Sequence, residues 1–223
     1  MRTPQHLLIT GNDTGIGKTQ FSGLVARKLA QEGHSVQVIK PVETGVVRDE
    51  PGDAQHALKA ATSGLKEPHG DVTAHRFFSY SRPLAPLKAA ALEGDSLSLQ
   101  SILYRIERLP DADFRLIEGA GGIAVPVDSE SLADWGTLAQ LLPESRTLVV
   151  VEDRLGTINQ ARLLNDYAEK HRLDFGFALN QMTQPPAYVA ESNREAFSAL
   201  KLPLWAELTW QSSEITWHDV CPV

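Results

Sequence analysis

Residues 7–19 read Leu7-Leu8-Ile9-Thr10-Gly11-Asn12-Asp13-Thr14-Gly15-Ile16-Gly17-Lys18-Thr19. An apolar run ends at Thr10, a glycine-bearing loop follows, and a helix pattern begins near Lys18. A strand that turns through Gly-Lys-Thr into a helix is a phosphate cradle. Main-chain N–H groups of the loop point inward at the anion, and the helix start adds positive partial charge. The lysine reaches the outer phosphates, and the threonine hydroxyl is placed to ligate Mg²⁺. The loop is a variant, because the position five before Gly17 is Asn12 and the nearest glycine is Gly11. The helix stands on its own pattern: Phe21, Leu24, Val25 and Leu29 share one face, and Gly33 can end it.

Short β-rich runs alternate with helical patterns along the rest of the chain, which predicts a mostly parallel sheet joined by crossover helices. Strands are expected at 6–10, 35–40, 114–118, 147–152, 175–180 and 204–208, with a further short one near 75–78. Helices are expected at 18–32, 54–62, 97–107, 134–141, 157–171 and 187–200. The stretch 41–86 reads as loops and short helices at strand ends. A length of 223 residues fits one domain that buries a sizeable core.

The formal net charge of −7 argues against general affinity for nucleic acid, which needs a clustered basic face. The single cysteine, Cys221, cannot form an internal disulfide. No apolar run approaches the length of a membrane span, and the N-terminus carries no leader pattern, so the expected compartment is the cytoplasm.

In open α/β sheets, ligands bind beyond the carboxyl ends of the strands, and the polar motifs cluster there. Lys40, in Lys40-Pro41-Val42-Glu43-Thr44-Gly45, ends the second strand and is placed to stabilise charge during phosphoryl transfer. Asp53 precedes a helix, and spacing alone favours a helix cap over a metal ligand. Glu118, in Glu118-Gly119-Ala120-Gly121-Gly122, ends a hydrophobic strand where a metal-side carboxylate is expected, and small residues follow it. Gly156-Thr157-Ile158-Asn159 opens a helix. Its free N–H groups suit a carboxylate, and capping by Thr157 or Asn159 is an equally good reading. Asn180 ends another strand and can read a base edge or simply turn the chain.

Together these motifs, with Val125-Pro126 and Ala133-Asp134-Trp135, resemble the dethiobiotin synthetases, in matching order along nearly the whole chain. The resemblance implies a P-loop NTPase-like α/β fold, a three-layer sandwich with a mostly parallel central sheet flanked by helices, working as a homodimer with its active site at the interface. It implies a cyclo-ligase that joins CO₂ to 7,8-diaminononanoate with MgATP. The carbamate formed attacks the γ-phosphate, and the second amine then closes the ring. Gly15, Ile16, Gly17, Lys18, Thr19 and Gln20 would wrap the phosphates. Glu118, Gly119, Ala120 and Gly121 would line the nucleotide. Lys18 and Lys40 would be catalytic. Thr19, Asp53 and Glu118 would hold Mg²⁺, which reverses the bare reading of Asp53 as a cap. Thr14, Lys40 and Thr44 would contact the diamine or its carbamate, Asn180 the adenine, and Gly156, Thr157 and Asn159 of a partner subunit the carboxylate tail.

The chain departs from its relatives at Gly15 (often Glu), Thr44 (often Ser), Thr209 (often Pro) and Asn193 (a Tyr in some). Partitioning ATPases of the same class carry a second lysine near the loop start, where this chain has Gly11, Asn12 and Asp13. Corrin amidoligases append a glutaminase domain for which this chain has no room. A nucleotide-binding regulator without catalysis would not need Lys18, Lys40, Asp53 and Glu118 together.

Overall fold

The computed structural model describes residues 4–47, 50–63 and 70–218; Cys221 lies outside them. Strand β1 (Gln5–Gly11) leads to helix α1 (Lys18–Gln31), β2 (Val36–Thr44), α2 (Asp53–Thr62), β3 (Val72–Tyr80), α3 (Pro86–Leu92) and α4 (Leu99–Glu107). Then come β4 (Phe114–Glu118), α5 (Trp135–Leu141), β5 (Ser145–Glu152), α6 (Thr157–Lys170), β6 (Phe175–Asn180), α7 (Ala187–Ala199), β7 (Leu204–Leu208) and β8 (Thr216–Trp217). The strands form one eight-stranded sheet in the order β3-β2-β4-β1-β5-β6-β7-β8. Every pairing is parallel except that of β8 with β7.

The central strands are apolar on both faces because helices cover both, as parallel sheets require. In β1, Leu7 and Ile9 pack with Phe21, Leu24 and Val25 of α1, and with Ala57 and Ala61 of α2. Leu8, pointing the opposite way, packs with Ile102 and Ile106 of α4 and Trp135 and Leu138 of α5. Val149 and Val151 meet Ala161 of α6 and Phe197 of α7. The result is helix, sheet and helix, the three-layer sandwich expected.

Several boundaries differ from expectation, each for a local reason. Strand β2 does not stop at Lys40 but continues through Pro41 to Thr44. Its pairing with β4 ends at Ile39, while its pairing with β3 runs on to Thr44. Past Ile39 it has one neighbour, so proline is tolerated as on an edge strand. The short strand near 75–78 is nine residues long. Helix α3 was not resolved by pattern; Pro86 stands in its first turn, where a missing N–H costs nothing. Ser98 and Asp134 are N-caps rather than helical residues, accepting from Ser101 N–H and Thr137 N–H. Strand β8 is too short to leave a pattern.

Candidate active site

The tips of β1, β2 and β4 and the start of α1 enclose a cavity of about 400 Å³. The loop between β1 and α1 forms one wall. Its close main-chain contact falls at Gly11: a Cβ there would lie 2.3 Å from the Val150 carbonyl oxygen. Gly17 is the N-cap of α1 with φ 90°, and no side chain caps the helix. The helix start is thus open to an anion. Behind the loop, Asn180 is 1% exposed and its Nδ2 donates to Ile16 O at 2.8 Å. Ile16 itself is buried in the core. Asn180 therefore braces the loop through Ile16 O, and its Nδ2 also lies 3.1 Å from Sδ of Met182, which lines the cavity.

Lys18 is buried, with its ammonium on the Asp13 carbonyl. Burial first, then the nearby charge of Lys40, pulls its pKa down to about 8. Lys40, 3% exposed, bridges Glu118 Oε1 at 2.8 Å and Asp53 Oδ2 at 2.7 Å. Burial alone would lower its pKa, but the two carboxylates outweigh burial and raise it. Glu118, 1% exposed, also accepts from Thr19 Oγ1 at 2.8 Å and Ser22 Oγ at 3.0 Å. Among the described residues, no group of three or more His, Cys, Asp or Glu side chains is placed to hold a metal. Thr19, Asp53 and Glu118 nonetheless fit Mg²⁺, which needs only one or two carboxylates beside phosphate oxygens and water. The Asp53 and Glu118 oxygens already meet at a cation, the Lys40 ammonium, and the Thr19 hydroxyl sits on Glu118 Oε1.

Asp53 does not cap α2. The N-cap is Gly52, and Asp53 is the first helical residue. Its N–H is taken by Glu43 Oε1 at 2.6 Å, and Arg76 holds the other oxygen of Glu43 at 3.2 Å. Glu43 thus does the capping that frees the Asp53 carboxylate for Lys40. Sequence reading missed Glu43, Arg76 and Ser22. The signal for Glu43 was the continued apolar position Val42 beyond the proline, which marks a strand still running.

A second, larger cleft of about 900 Å³ opens beside the first. Thr14, Thr44, Ala120 and Gly121 line both, so they form the passage between them. Its walls are mainly apolar and small, with Pro83, Pro86, Val125 and Leu163 among them. Asn12 and Gln160 also line it, and the side-chain oxygen of each is buried without a hydrogen-bond partner. The glycine-rich loop after β4 is fixed by Trp135, whose Nε1 donates to Ala120 O at 2.9 Å. Gly119 is turned inward: its N–H meets Ile9 O at 3.0 Å, and an added Cβ would sit 3.3 Å from the Trp135 ring.

The start of α6 stands apart: Gly156, Thr157 and Asn159 line neither cavity of this chain. The Thr157 hydroxyl is buried and used locally, on the carbonyls of Glu152 and Arg154. The first main-chain bond within the helix is made by Gln160 N–H to Gly156 O. The Ile158 and Asn159 N–H groups precede it and have no intrahelical acceptor. Asn193 is buried and points at Asp153 and Arg154, not outward.

A family profile described as an AAA domain matches residues 5–216. The ATP-dependent dethiobiotin synthetase BioD of Aquifex aeolicus (strain VF5) is 38% identical over 181 residues, covering 79% of this chain and 76% of that protein. That of Bacillus subtilis (strain 168) is 33% identical, covering 86% and 81%. That of Mycobacterium avium (strain 104) is 35% identical, covering 87% and 82%. Among solved structures, the cell-division ATPase MinD of Pyrococcus furiosus superposes with TM-score 0.54 at 16% identity, covering 93% of this chain and 84% of that one. Chloroplast FtsY of Physcomitrella patens gives 0.54 at 16% identity, covering 98% and 63%. At such identities these two show the fold alone, a P-loop NTPase fold. Relatives of one name, above 30% identity over most of both sequences, place the chain in the dethiobiotin synthetase family.

Proposed function

We propose that this chain makes dethiobiotin, an ATP-dependent step of biotin synthesis, by joining CO₂ to 7,8-diaminononanoate. The observation that carries the reading is the passage at Thr14, Thr44, Ala120 and Gly121 between an ion-lined cavity and an apolar cleft. The first suits a triphosphate tail, and the second suits the hydrocarbon chain of a diamine.

One amine adds to CO₂ and loses a proton, giving a carbamate. A carbamate oxygen attacks the γ-phosphorus and ADP leaves. The second amine attacks the carbamoyl carbon, phosphate departs, and loss of a proton leaves the ureido ring. No protein nucleophile enters, so the chain contributes position and charge. Lys18 leaves the Asp13 carbonyl for the phosphate oxygens. Lys40 faces both the carbamate and the γ-phosphoryl group. Thr19, Asp53 and Glu118 would hold Mg²⁺, which would supply positive charge against the phosphates. The Gly15–Gln20 loop donates its N–H groups to the phosphates, and Thr14 and Thr44 touch the carbamate.

The α6 start of a second copy receives the substrate carboxylate in this reading, with the free Ile158 and Asn159 N–H groups as donors. Leu155 and Leu163, exposed on and beside that helix, support a subunit contact there. No helix of the described residues is long and apolar enough to cross a membrane.

The test is phosphate release from MgATP with and without the diamine and CO₂, with the product identified by mass. Release that needs both, with dethiobiotin formed, is the expected result. Equal hydrolysis without the diamine overturns the reading in favour of a partitioning-type ATPase.

A further inference from the structure

Asp153 follows β5, is 1% exposed, and belongs to no group assigned so far. Its carboxylate accepts Asn193 Nδ2 at 2.7 Å, Gln181 Nε2 at 3.0 Å and Arg194 Nη1 at 3.3 Å. Its main-chain N–H donates to Asn180 O at 2.7 Å. Each arm leads somewhere different. Asn193 also donates to Arg154 O at 3.2 Å, the carbonyl on which the Thr157 hydroxyl closes the first turn of α6. Gln181 uses its other end to accept Trp210 N–H at 3.1 Å, which fixes the turn after β7. Trp210 is the exposed aromatic of that turn, 42% accessible, at the same end of the sheet as the phosphate loop. Arg194 is shared with Glu207, which also meets His218, so one guanidinium ties two carboxylates into the network.

A buried carboxylate with three donors is costly to break, because removing one partner strands the others. It therefore holds its neighbours in one arrangement. We infer that Asp153 is a positioning residue that sets two places at once: the α6 start that takes the substrate carboxylate in the proposed function, and the turn after β7, whose exposed Trp210 offers a nucleotide base a ring to stack on. This deepens the proposed function and rests on it for the identity of the two ligands. Asn193 acts through the main chain of α6 instead of touching the tail.

Three variants separate the arms: Asn193→Ala, Gln181→Ala and Asp153→Asn. Each is measured for diamine KM and kcat, for the Kd of MgATP, and for the Kd of magnesium tripolyphosphate, which has no base. Asn193→Ala should raise the diamine KM about tenfold with kcat within about twofold, and leave both Kd values alone. Gln181→Ala should weaken ATP about fivefold while tripolyphosphate binds as before. Asp153→Asn should show both changes. Melting curves report folding separately. The inference is overturned if Asp153→Asn lowers the melting temperature but leaves KM and the ATP-to-tripolyphosphate ratio at wild-type values. It is also overturned if Asn193→Ala and Gln181→Ala give the same changes. A wild-type protein that ignores the diamine would sink the proposed reaction itself. The ATP and tripolyphosphate titrations would still decide the base-side arm.

Discussion

The two ends of the sheet both bury polar side chains, and they satisfy them differently. At the amino end, Gln37, Arg115 and His6 stand in one register row across β2, β4 and β1. Arg115 Nε donates to Gln37 Oε1 at 3.0 Å, and its Nη2 reaches the carbonyls of Leu109 and Pro110 at 3.3 Å each. Gln37 Nε2 donates to the Pro110 carbonyl at 2.9 Å, and His6 Nδ1 meets the Pro143 carbonyl at 2.9 Å. The row ends on main-chain acceptors that the fold has already placed, with the His6 Nε2 buried and unpartnered. At the carboxyl end, Lys40 ends on Glu118 and Asp53, and Thr19 and Ser22 end on Glu118. Side-chain partners can be exchanged when a charged ligand arrives, whereas main-chain carbonyls cannot move away. The first cluster is a clasp and the second is a set of groups held ready.

That contrast breaks first at Lys40. Lys40→Ala should cut kcat about 10²–10³-fold, the usual loss when a group aimed at developing negative charge is removed. MgATP affinity should change far less, because the loop N–H groups and Lys18 still hold the phosphates. A pre-steady-state measurement of turnover beside an equilibrium titration of MgATP separates the two. A large loss of ATP binding with turnover per bound ATP unchanged would contradict the role given to Lys40.

Arg115→Ala tests the other end. It leaves the Leu109 carbonyl, the Pro110 carbonyl and Gln37 with fewer partners, at about 1 kcal/mol or more each. A loss of roughly 2–3 kcal/mol is expected, read as a fall of several degrees in melting temperature for a chain of this size. Activity per folded molecule should stay at the wild-type value. A variant that folds as well as wild type but turns over slowly would erase the distinction between the ends.

The same contrast explains what could be read from sequence. Lys18, Thr19, Lys40 and Glu118 announce themselves because each lies on or just past a strand or opens a helix, whereas spacing alone reads Asp53 as a cap and only the family resemblance makes it a ligand; all five line one cavity. The strands of the centre are legible because burial on both faces makes them continuous apolar runs. For Glu43 only the strand position is legible, through Val42 beyond the proline; its work is not, since that depends on a helix N–H ten residues on meeting it in space. Asn193 is equally silent: its acceptors are on another strand tip, 40 and 39 residues back. The passage of β2 through Pro41 is hidden because proline ordinarily marks a strand's end, and only the early stop of the β2–β4 pairing makes it harmless.

The smallest effect is a matter of protons, and it sharpens the comparison most. Lys18 in the free protein has its pKa lowered to about 8, chiefly by burial and then by Lys40. A triphosphate tail brings negative charge against it and favours the ammonium, so the pKa must rise on binding. The sign follows. Below about pH 7 the lysine is already charged and affinity is flat, and the loss sets in as pH rises through 8. Above pH 8 the free protein has lost the proton that the complex needs, so affinity falls as pH rises. Between pH 7 and 8.5 the charged fraction drops about fourfold, and the Kd of MgATP should rise by about that factor. Calorimetry at pH 8.5 in two buffers of different ionisation enthalpy should also show net proton uptake, and Lys18→Arg should remove it, because a guanidinium stays charged throughout. Proton uptake that survives Lys18→Arg would place the titrating group elsewhere. His6 makes the control: also buried, with its pKa lowered first by burial, it titrates below the usual histidine range, so it holds no proton to exchange at pH 8.5.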